Sequence, residues 1–589
     1  MRSCHMRRAQ AAARRPGTRV DVRSTCRAVR GGGIRGRTPP AAARTAGSRG
    51  APGPSWRCAA GPREAPPPAG GASSAAPGPA GGASGGGAAA NGGWGFASAL
   101  SRRVNLDLAV AEAAEAALKS LGQAEPDVAF VWASSAYGQA LDLAVPLARR
   151  LLPSVRVILG CTGFGVCGGS PEDGRPEEVE HGPALSVALA ALPGVELALK
   201  HVQPQELPDG DAPPSEWARA IGVPLDAPGG AGAGGGGGDS GAAPTETHFV
   251  VIADPTFSGI EELLAGLDFA YPAAKKIGGL TSSGRLSSAR SIFCWAAADQ
   301  RPADDTGVRR SGAAVLALRG PLTMELLIAQ GCRPLSRRMY EVASLAPQQR
   351  NMVASLAEVN GSGGGGGGGS GAMPPVDALR RDLSDPLQPI DSERELARVV
   401  SNLCCGLAPD DPLRAAAATA APGDAEPQDW LIRGMALTNT AQLAVGDELR
   451  VGQRLRFMVR DREGAQADLE AHGVAYKRRQ LAAALEGRPA PPALGALMFS
   501  CNGRGLGLYG EESYDSRQLA GYVGAPVSGF QCNGEIGSVA GSTKLHGFTC
   551  AVAVLRPTGP RPSSSDGDTG GGGTGGGGTS GGGGTGGGA

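Results

Sequence analysis

The residues with the clearest chemical content lie between Leu497 and Pro557. The run LMFSCNGRGLGLYGEE (497–512) carries one fixed cation, Arg504, in a glycine-rich turn. About thirty residues later, APVSGFQCNGEIGSVAGSTKLHGFTCAVAVL (525–555) enters a second Cys-Asn-Gly step, this time carrying Glu535. Two strand-to-loop corners of opposite charge suit the lips of a small-molecule pocket, because glycines let backbone N–H groups approach a ligand. Arg504 then takes a carboxylate and Glu535 an ammonium. The rest of the candidate set is Cys501, Asn502, Gly503 and Gly505 on the first corner and Cys532, Asn533 and Gly534 on the second. Thr162 and Thr281 join it from two upstream glycine loops. A plainer reading makes Arg504 and Glu535 an internal ion pair that pins the loops, which adds little net stability.

Other chemistries find less support. Cys501 and Cys532 open matching turns, and Arg504 would favour a thiolate, but no His lies nearby as a base. Packing is the simpler role for both, and for His546 in KLHGFT. Twelve Cys without a CxxC, and six His without paired spacing, give no metal site and call for no cofactor. No nucleophile elbow, phosphate loop or paired carboxylate assigns a catalytic residue. Gly505-Leu-Gly507-Leu-Tyr-Gly510 matches a dinucleotide-type glycine pattern after a strand. Glu511, Glu512 and Asp515 stand where phosphates would arrive, and the helix that follows is short. A nucleotide-binding protein or enzyme using this loop is therefore an alternative.

The pair FSCNGRGLGLYG and GFQCNGEIGSV…LHGFT resembles the C-terminal signature of the FIST (F-box and intracellular signal transduction) domain. The resemblance extends through LAVGDELRVGQRLRFMVRD (443–461), GCRPLSRRMYEV (331–342), the stretch 249–284, and the segments DVAFVWASSAYG and VILGCTGFG (127–138, 157–165). It covers most of residues 100–557 in the family's order. The resemblance implies a sensory module that binds a small polar metabolite, amino acids among the candidates, and passes the signal to a downstream partner. Some relatives carry an F-box and serve ubiquitin ligases, but residues 1–92 do not read as one.

Composition bounds the rest. Residues 1–92 hold fifteen Arg, no Lys and only Asp21 and Glu64 as acids. With its Ala, Pro and Ser, this leader reads as a transit peptide, and the GC-rich bias elsewhere suits a green alga, so a chloroplast is expected and the cytoplasm is the alternative. Without the leader the chain is acidic, which disfavours nucleic acid as a partner. No apolar run is long enough to span a membrane.

Periodicity gives α/β to α+β organisation with mixed sheets and flanking helices, the resemblance implies two related FIST subdomains, and composition gives disordered ends. The expected segments are a leader (1–92), an N-terminal domain (93–330) with a Gly-rich insertion (228–242), and a C-terminal domain (331–557). The last is interrupted at 361–371 and 408–428, and a Gly-rich tail (558–589) follows. Helices are expected at 106–121, 139–152 (kinked by Pro146), 258–267, 467–487 and 516–523. Strands at 127–134, 155–160, 249–254 and 275–280, and a strand pair around Pro193-Gly194, complete the first half. Gly160-Cys-Thr-Gly-Phe-Gly165 and Gly279-Leu-Thr-Ser-Ser-Gly284 share one G-x-T-x-x-G pattern, as an internal duplication would leave.

Overall fold

The computed structural model describes residues 93–226, 245–284, 290–297, 307–359, 371–385, 390, 392–408, 430–539 and 541–558. The expected leader, the three insertions and the tail fall wholly or almost wholly outside the described residues.

Three six-stranded sheets share one connectivity. At the centre of each lie two parallel strands joined by a helical crossover. These are Val128–Ser134 with Val157–Gly163, Glu246–Ala253 with Lys275–Leu280, and Gly495–Cys501 with Val527–Cys532. The first strand of each pair has an antiparallel neighbour, namely Leu185–Ala191, Ala313–Gly320 or Cys550–Pro557. The second strand of each pair borrows its neighbour from another repeat. Ile292–Ala296 joins the first sheet, Glu535–Val539 the second and Val166–Gly169 the third. The fold is thus three repeats interlocked by exchanged hairpins, one more than the sequence pattern indicated. Its register also differs by one residue: the equivalent glycines are Gly160, Gly278 and Gly529.

Those three glycines are required by close approach. At each, an added Cβ would land on the carbonyl oxygen of the facing residue in the parallel partner strand, Val131, Val251 or Met498. Gly529→Ala is therefore expected to cost about 3 kcal/mol in chemical denaturation, through displacement of buried backbone. An unchanged midpoint would show that the two strands can separate cheaply.

The three sheets turn one face to a shared apolar core that includes Phe130, Trp132, Ile252, Phe499 and Phe530. Trp132 stacks on Phe530 at 5.1 Å between centroids, and its indole N–H donates to Ser528 Oγ at 3.1 Å. Each outer face is covered by helices. Leu106–Leu121 and Ala144–Leu151 cover the first sheet, Pro214–Ile221 and Ile260–Ala270 the second, and Arg462–Leu485 and Tyr514–Val523 the third. Alternating inward and outward apolar residues in the parallel strands follow from this two-sided burial.

Two local expectations need correction. Pro146 does not kink a helix: Ser135–Leu143 is a 3-10 segment, and Pro146 stands in the first turn of Ala144–Leu151, where a missing N–H costs nothing. The strands around Pro193-Gly194 do not pair with each other. Leu185–Ala191 stays in the first sheet, while Glu196–Val202 crosses to the edge of the second.

The third repeat is split by an inserted barrel. Six antiparallel strands close on themselves in the order Arg454–Arg460, Tyr340–Ala346, Gln349–Glu358, Leu443–Val445, Leu431–Leu437 and Leu403–Leu407, which pairs back onto the first. The short strand Cys332–Pro334 also pairs with Arg454–Arg460. The barrel has its own core, built on Tyr340, Leu356, Cys405, Leu455 and Phe457. Closure removes free strand edges. Among the described residues, no helix is long and apolar enough to cross a membrane.

Candidate functional site

The exchange of hairpins brings the ends of the second parallel strands together. Phe164 N–H donates to Ser282 Oγ (2.6 Å), Ser282 N–H to Thr162 O (3.1 Å) and Gln531 N–H to Gly165 O (2.9 Å). Asn533 N–H reaches Leu280 O at 3.1 Å, and Asn502 N–H reaches Cys532 O at 2.9 Å. The four loops singled out by sequence therefore meet, and backbone hydrogen bonds zip them to one another. Thr162 and Thr281 are buried in this seam; Thr162 Oγ1 accepts from Ser291 N–H at 3.0 Å, and Thr281 Oγ1 faces Asp254 at 3.5 Å. Gly534 contributes its carbonyl to Leu280 N–H at 2.8 Å. Gly503 and Asn533 are exposed.

Arg504 is fully buried, and its guanidinium serves the protein's own groups. Nε and Nη2 hold the two oxygens of Asp515 at 2.7 and 3.0 Å, Nη2 also reaches Tyr509 OH, and Nη1 donates to Phe548 O at 3.1 Å. Asp515 also accepts from Ser500 Oγ (2.9 Å) and Tyr509 OH (2.7 Å). Burial works against the Asp515 charge, yet Arg504 and these donors hold the carboxyl below its ordinary range. The ion-pair partner of Arg504 is thus Asp515, eleven residues on, and not Glu535.

Glu535 is equally buried. One oxygen accepts from Thr549 N–H at 3.0 Å and the other has no partner. Burial pushes its carboxyl up to about 8, against the pull of the Thr549 amide and Arg504. Arg504 and Glu535 therefore grip one peptide group from its two ends: the carbonyl of Phe548 and the N–H of Thr549. Phe548 sits at φ 70°, a backbone region that bulky residues avoid. Both residues that the sequence offers as ligand contacts are engaged by this turn.

Cys501 and Cys532 are in-register neighbours on their parallel strands, both buried free thiols. Burial, then Glu535, pushes Cys501 up to about 12, and burial raises Cys532 well above its ordinary value. Neither is a thiolate at neutral pH, so Arg504 does not activate them. The glycine loop at 505–510 folds as a five-residue helix whose Leu506 N–H is already taken by Glu180 at 2.7 Å. Ser516 N–H, in the first turn of the next helix, is taken by Glu178 at 2.8 Å. Gly505 packs so tightly that a Cβ would meet Glu180 and Gln531. Carboxylates of the chain fill the places a phosphate would need.

The strained turn forms one wall of a cavity of about 540 Å³. The exchanged hairpin supplies Thr543, Lys544, His546 and Phe548, the helix Ile260–Ala270 supplies Glu261 and Asp268, and the barrel supplies Cys404, Arg433, Asp447 and Arg460. Several polar groups are spoken for. Asp268 accepts from Thr543 N–H (2.6 Å) and Oγ1 (2.7 Å) and pairs with Lys276 (3.0 Å), while Arg433 pairs with Asp447 at 2.8 Å. Two are not. Arg460 Nε is buried without a hydrogen-bond partner, its guanidinium lying over the Phe548 ring. His546 is 4% exposed; its Nε2 bonds Gly537 O at 3.1 Å and its Nδ1 has no partner. Burial lowers His546 to about 4, so the ring is neutral, Nε2 carries the hydrogen, and Nδ1 offers a lone pair. Burial likewise penalises the Arg460 charge.

Sequence reasoning placed His546 in packing and passed over Arg460, Arg433 and Asp268. The wall is assembled from residues 261 to 548 across an inserted barrel, and no local spacing joins them. The single usable signal was Arg460 itself, an Arg ending a strand in RLRFMVRD.

The fold is one of mixed sheets: three interlocked βαβ repeats, an inserted barrel and a cavity at their junction. Residues 127–357 match the FIST N domain and residues 376–538 the FIST C domain, so the chain belongs to the FIST family. These are sensory domains of signal transduction. The uncharacterized protein Rv0628c of Mycobacterium tuberculosis (strain ATCC 25618 / H37Rv) is 28% identical over 451 residues, 76% of this chain and 96% of the relative. The uncharacterized protein Mb0898c of Mycobacterium bovis (strain ATCC BAA-935 / AF2122/97) is 30% identical over 287 residues, 48% of this chain and 61% of the relative.

Proposed function

We propose that this protein senses a small zwitterionic metabolite, of the amino-acid class, in the cavity between barrel and hairpin. The observation that carries the reading is the pair of buried, unpartnered groups on the cavity wall, Arg460 Nε and His546 Nδ1. Buried polar atoms without partners are rare in folded proteins and point to a missing one. A carboxylate completes the Arg460 donor set through Nε and a terminal nitrogen. An ammonium or amide N–H gives His546 Nδ1 its donor, with Glu261 and Asp447 adding negative charge nearby. Arg504, Glu535 and the two Cys-Asn-Gly corners act one layer behind, fixing the turn that presents His546 and Phe548.

A cavity of this size suits a ligand of about ten to twenty heavy atoms. The nucleotide alternative meets Glu180 and Glu178 on the amides it would need, and no observation favours a ubiquitin-ligase role. The output partner in this reading is a downstream signalling protein.

A melting screen of the full chain against amino acids, nucleotides and sugars tests the proposal. At least one amino acid should raise the midpoint, and Arg460→Ala should weaken that ligand by about tenfold or more through loss of a charge-assisted pair. A shift from nucleotides alone, or one that Arg460→Ala leaves intact, would refute it.

A further inference from the structure

We propose that the barrel is a hinged part, latched onto the three-sheet body at the cavity mouth by the Arg460 guanidinium seated on the Phe548 ring. The inference rests on the cavity reading above and supplies its regulation: ligand occupancy is read out as barrel position.

The barrel has closure and a core of its own within the compact unit it shares with the three sheets. Its strands close on themselves around their own apolar core, and among the described residues they pair with no strand of the three sheets. The side-chain ties at its two ends include Gln330, which donates to Trp430 O and accepts from Ile432 N–H at 3.3 Å, and the Arg333–Asp461 pair at 2.7 Å. An element with its own core moves as a unit by default. The chain passes between the two parts at two points. It enters through Gln330–Gly331, between Leu322–Ala329 and Cys332–Pro334, and leaves through Arg460–Asp461, between Arg454–Arg460 and Arg462–Leu485. Both passages suit a hinge. Gly331 adopts φ 71°, and its N–H is tethered to Asp468 of the body helix at 2.7 Å. Asp461 caps the same helix through Gly464 N–H at 2.8 Å. Hinges absorb motion at a few residues where elements end.

Arg460 is the last barrel residue before the exit passage, and Phe548 belongs to the body. Their contact spans the two parts across the cavity wall. The body side of this contact is rigid: the Phe548–Thr549 peptide is gripped by Arg504 and Glu535, and the residue is held in a conformation it would leave if free. Strained backbone of this kind persists where its surroundings over-determine it, and it concentrates at clamps and switches. The barrel side is incomplete, because stacking occupies the guanidinium face while the Nε edge lacks a partner. A carboxylate bound at that edge would leave the stacking in place while its other end meets His546 and the hairpin. Occupancy therefore ties barrel to body at a second point.

Hydrogen exchange on the ligand-free full chain tests the latch, with Phe548→Ala and Arg460→Lys compared with wild type. Lysine keeps the charge but loses the planar stacking surface. Both variants should exchange about tenfold faster at residues 330–334 and 460–466, while the barrel strands 403–407 and 431–437 keep wild-type rates. Unchanged rates at the two passages in either variant would overturn the latch. If Phe548→Ala speeds exchange everywhere, Arg460→Lys decides alone. The cavity reading stands or falls separately, because the melting screen uses wild-type protein and needs no motion.

Discussion

Replacing Arg504 by Met should destabilise the protein by about 3–5 kcal/mol in chemical denaturation, the largest effect expected from any single side chain discussed above. The reason lies in what is left behind. Asp515 is fully buried, and without the guanidinium its carboxylate keeps only the Ser500 and Tyr509 hydroxyls. A buried charge stripped of its partner costs several kcal/mol or takes up a proton. The Phe548 carbonyl also loses its donor, so the turn at φ 70° loses one of the two hydrogen bonds that fix it. The double variant Arg504→Met with Asp515→Leu should be less damaged than Arg504→Met alone, because it removes both charges together. A single variant within about 1 kcal/mol of wild type would contradict the buried-pair account.

The second large effect is a pH dependence centred on Glu535. In the folded protein this carboxyl holds its proton up to about 8, against 4.5 for an ordinary glutamate. Between those values the folded state binds more protons than the unfolded chain, so stability falls as pH rises through the interval. The contribution is fully present below about pH 4.5 and fully lost above about pH 8, and its ceiling is about 5 kcal/mol. Glu535→Gln keeps the shape and removes the titration. Its stability relative to wild type should therefore climb between pH 5 and pH 9, measured by denaturant unfolding at each pH. Parallel curves for the two proteins would show that Glu535 is ionised in the fold.

Much of the architecture was legible from sequence because it rests on local periodicity. The helix at 106–121 follows from apolar spacing and a terminal glycine, and the strand expected at 249–254 from the apolar run Phe-Val-Val-Ile-Ala. The family resemblance rested on the two Cys-Asn-Gly corners, and those corners do meet in space. What they do there was not legible. Whether Arg504 faces a ligand or an internal carboxylate depends on where Asp515 falls after a short helical turn, which spacing alone does not give. The third repeat was hidden because the barrel separates Leu322–Ala329 from the rest of its unit, and because hairpin exchange puts paired strands hundreds of residues apart. The cavity was hidden for the same reason: Arg460 and His546 stand 86 positions apart in sequence, on two different parts of the fold.

Nitrogen-15 NMR of the histidine rings during titration with the amino acid that most raises the melting midpoint tests the central claim most directly. The His546 Nδ1 resonance should start at the position of a bare lone pair and move on binding, while Nε2, bonded to Gly537, stays nearly fixed. A ligand that binds tightly yet leaves both His546 nitrogens where they began would place the site elsewhere and contradict the account.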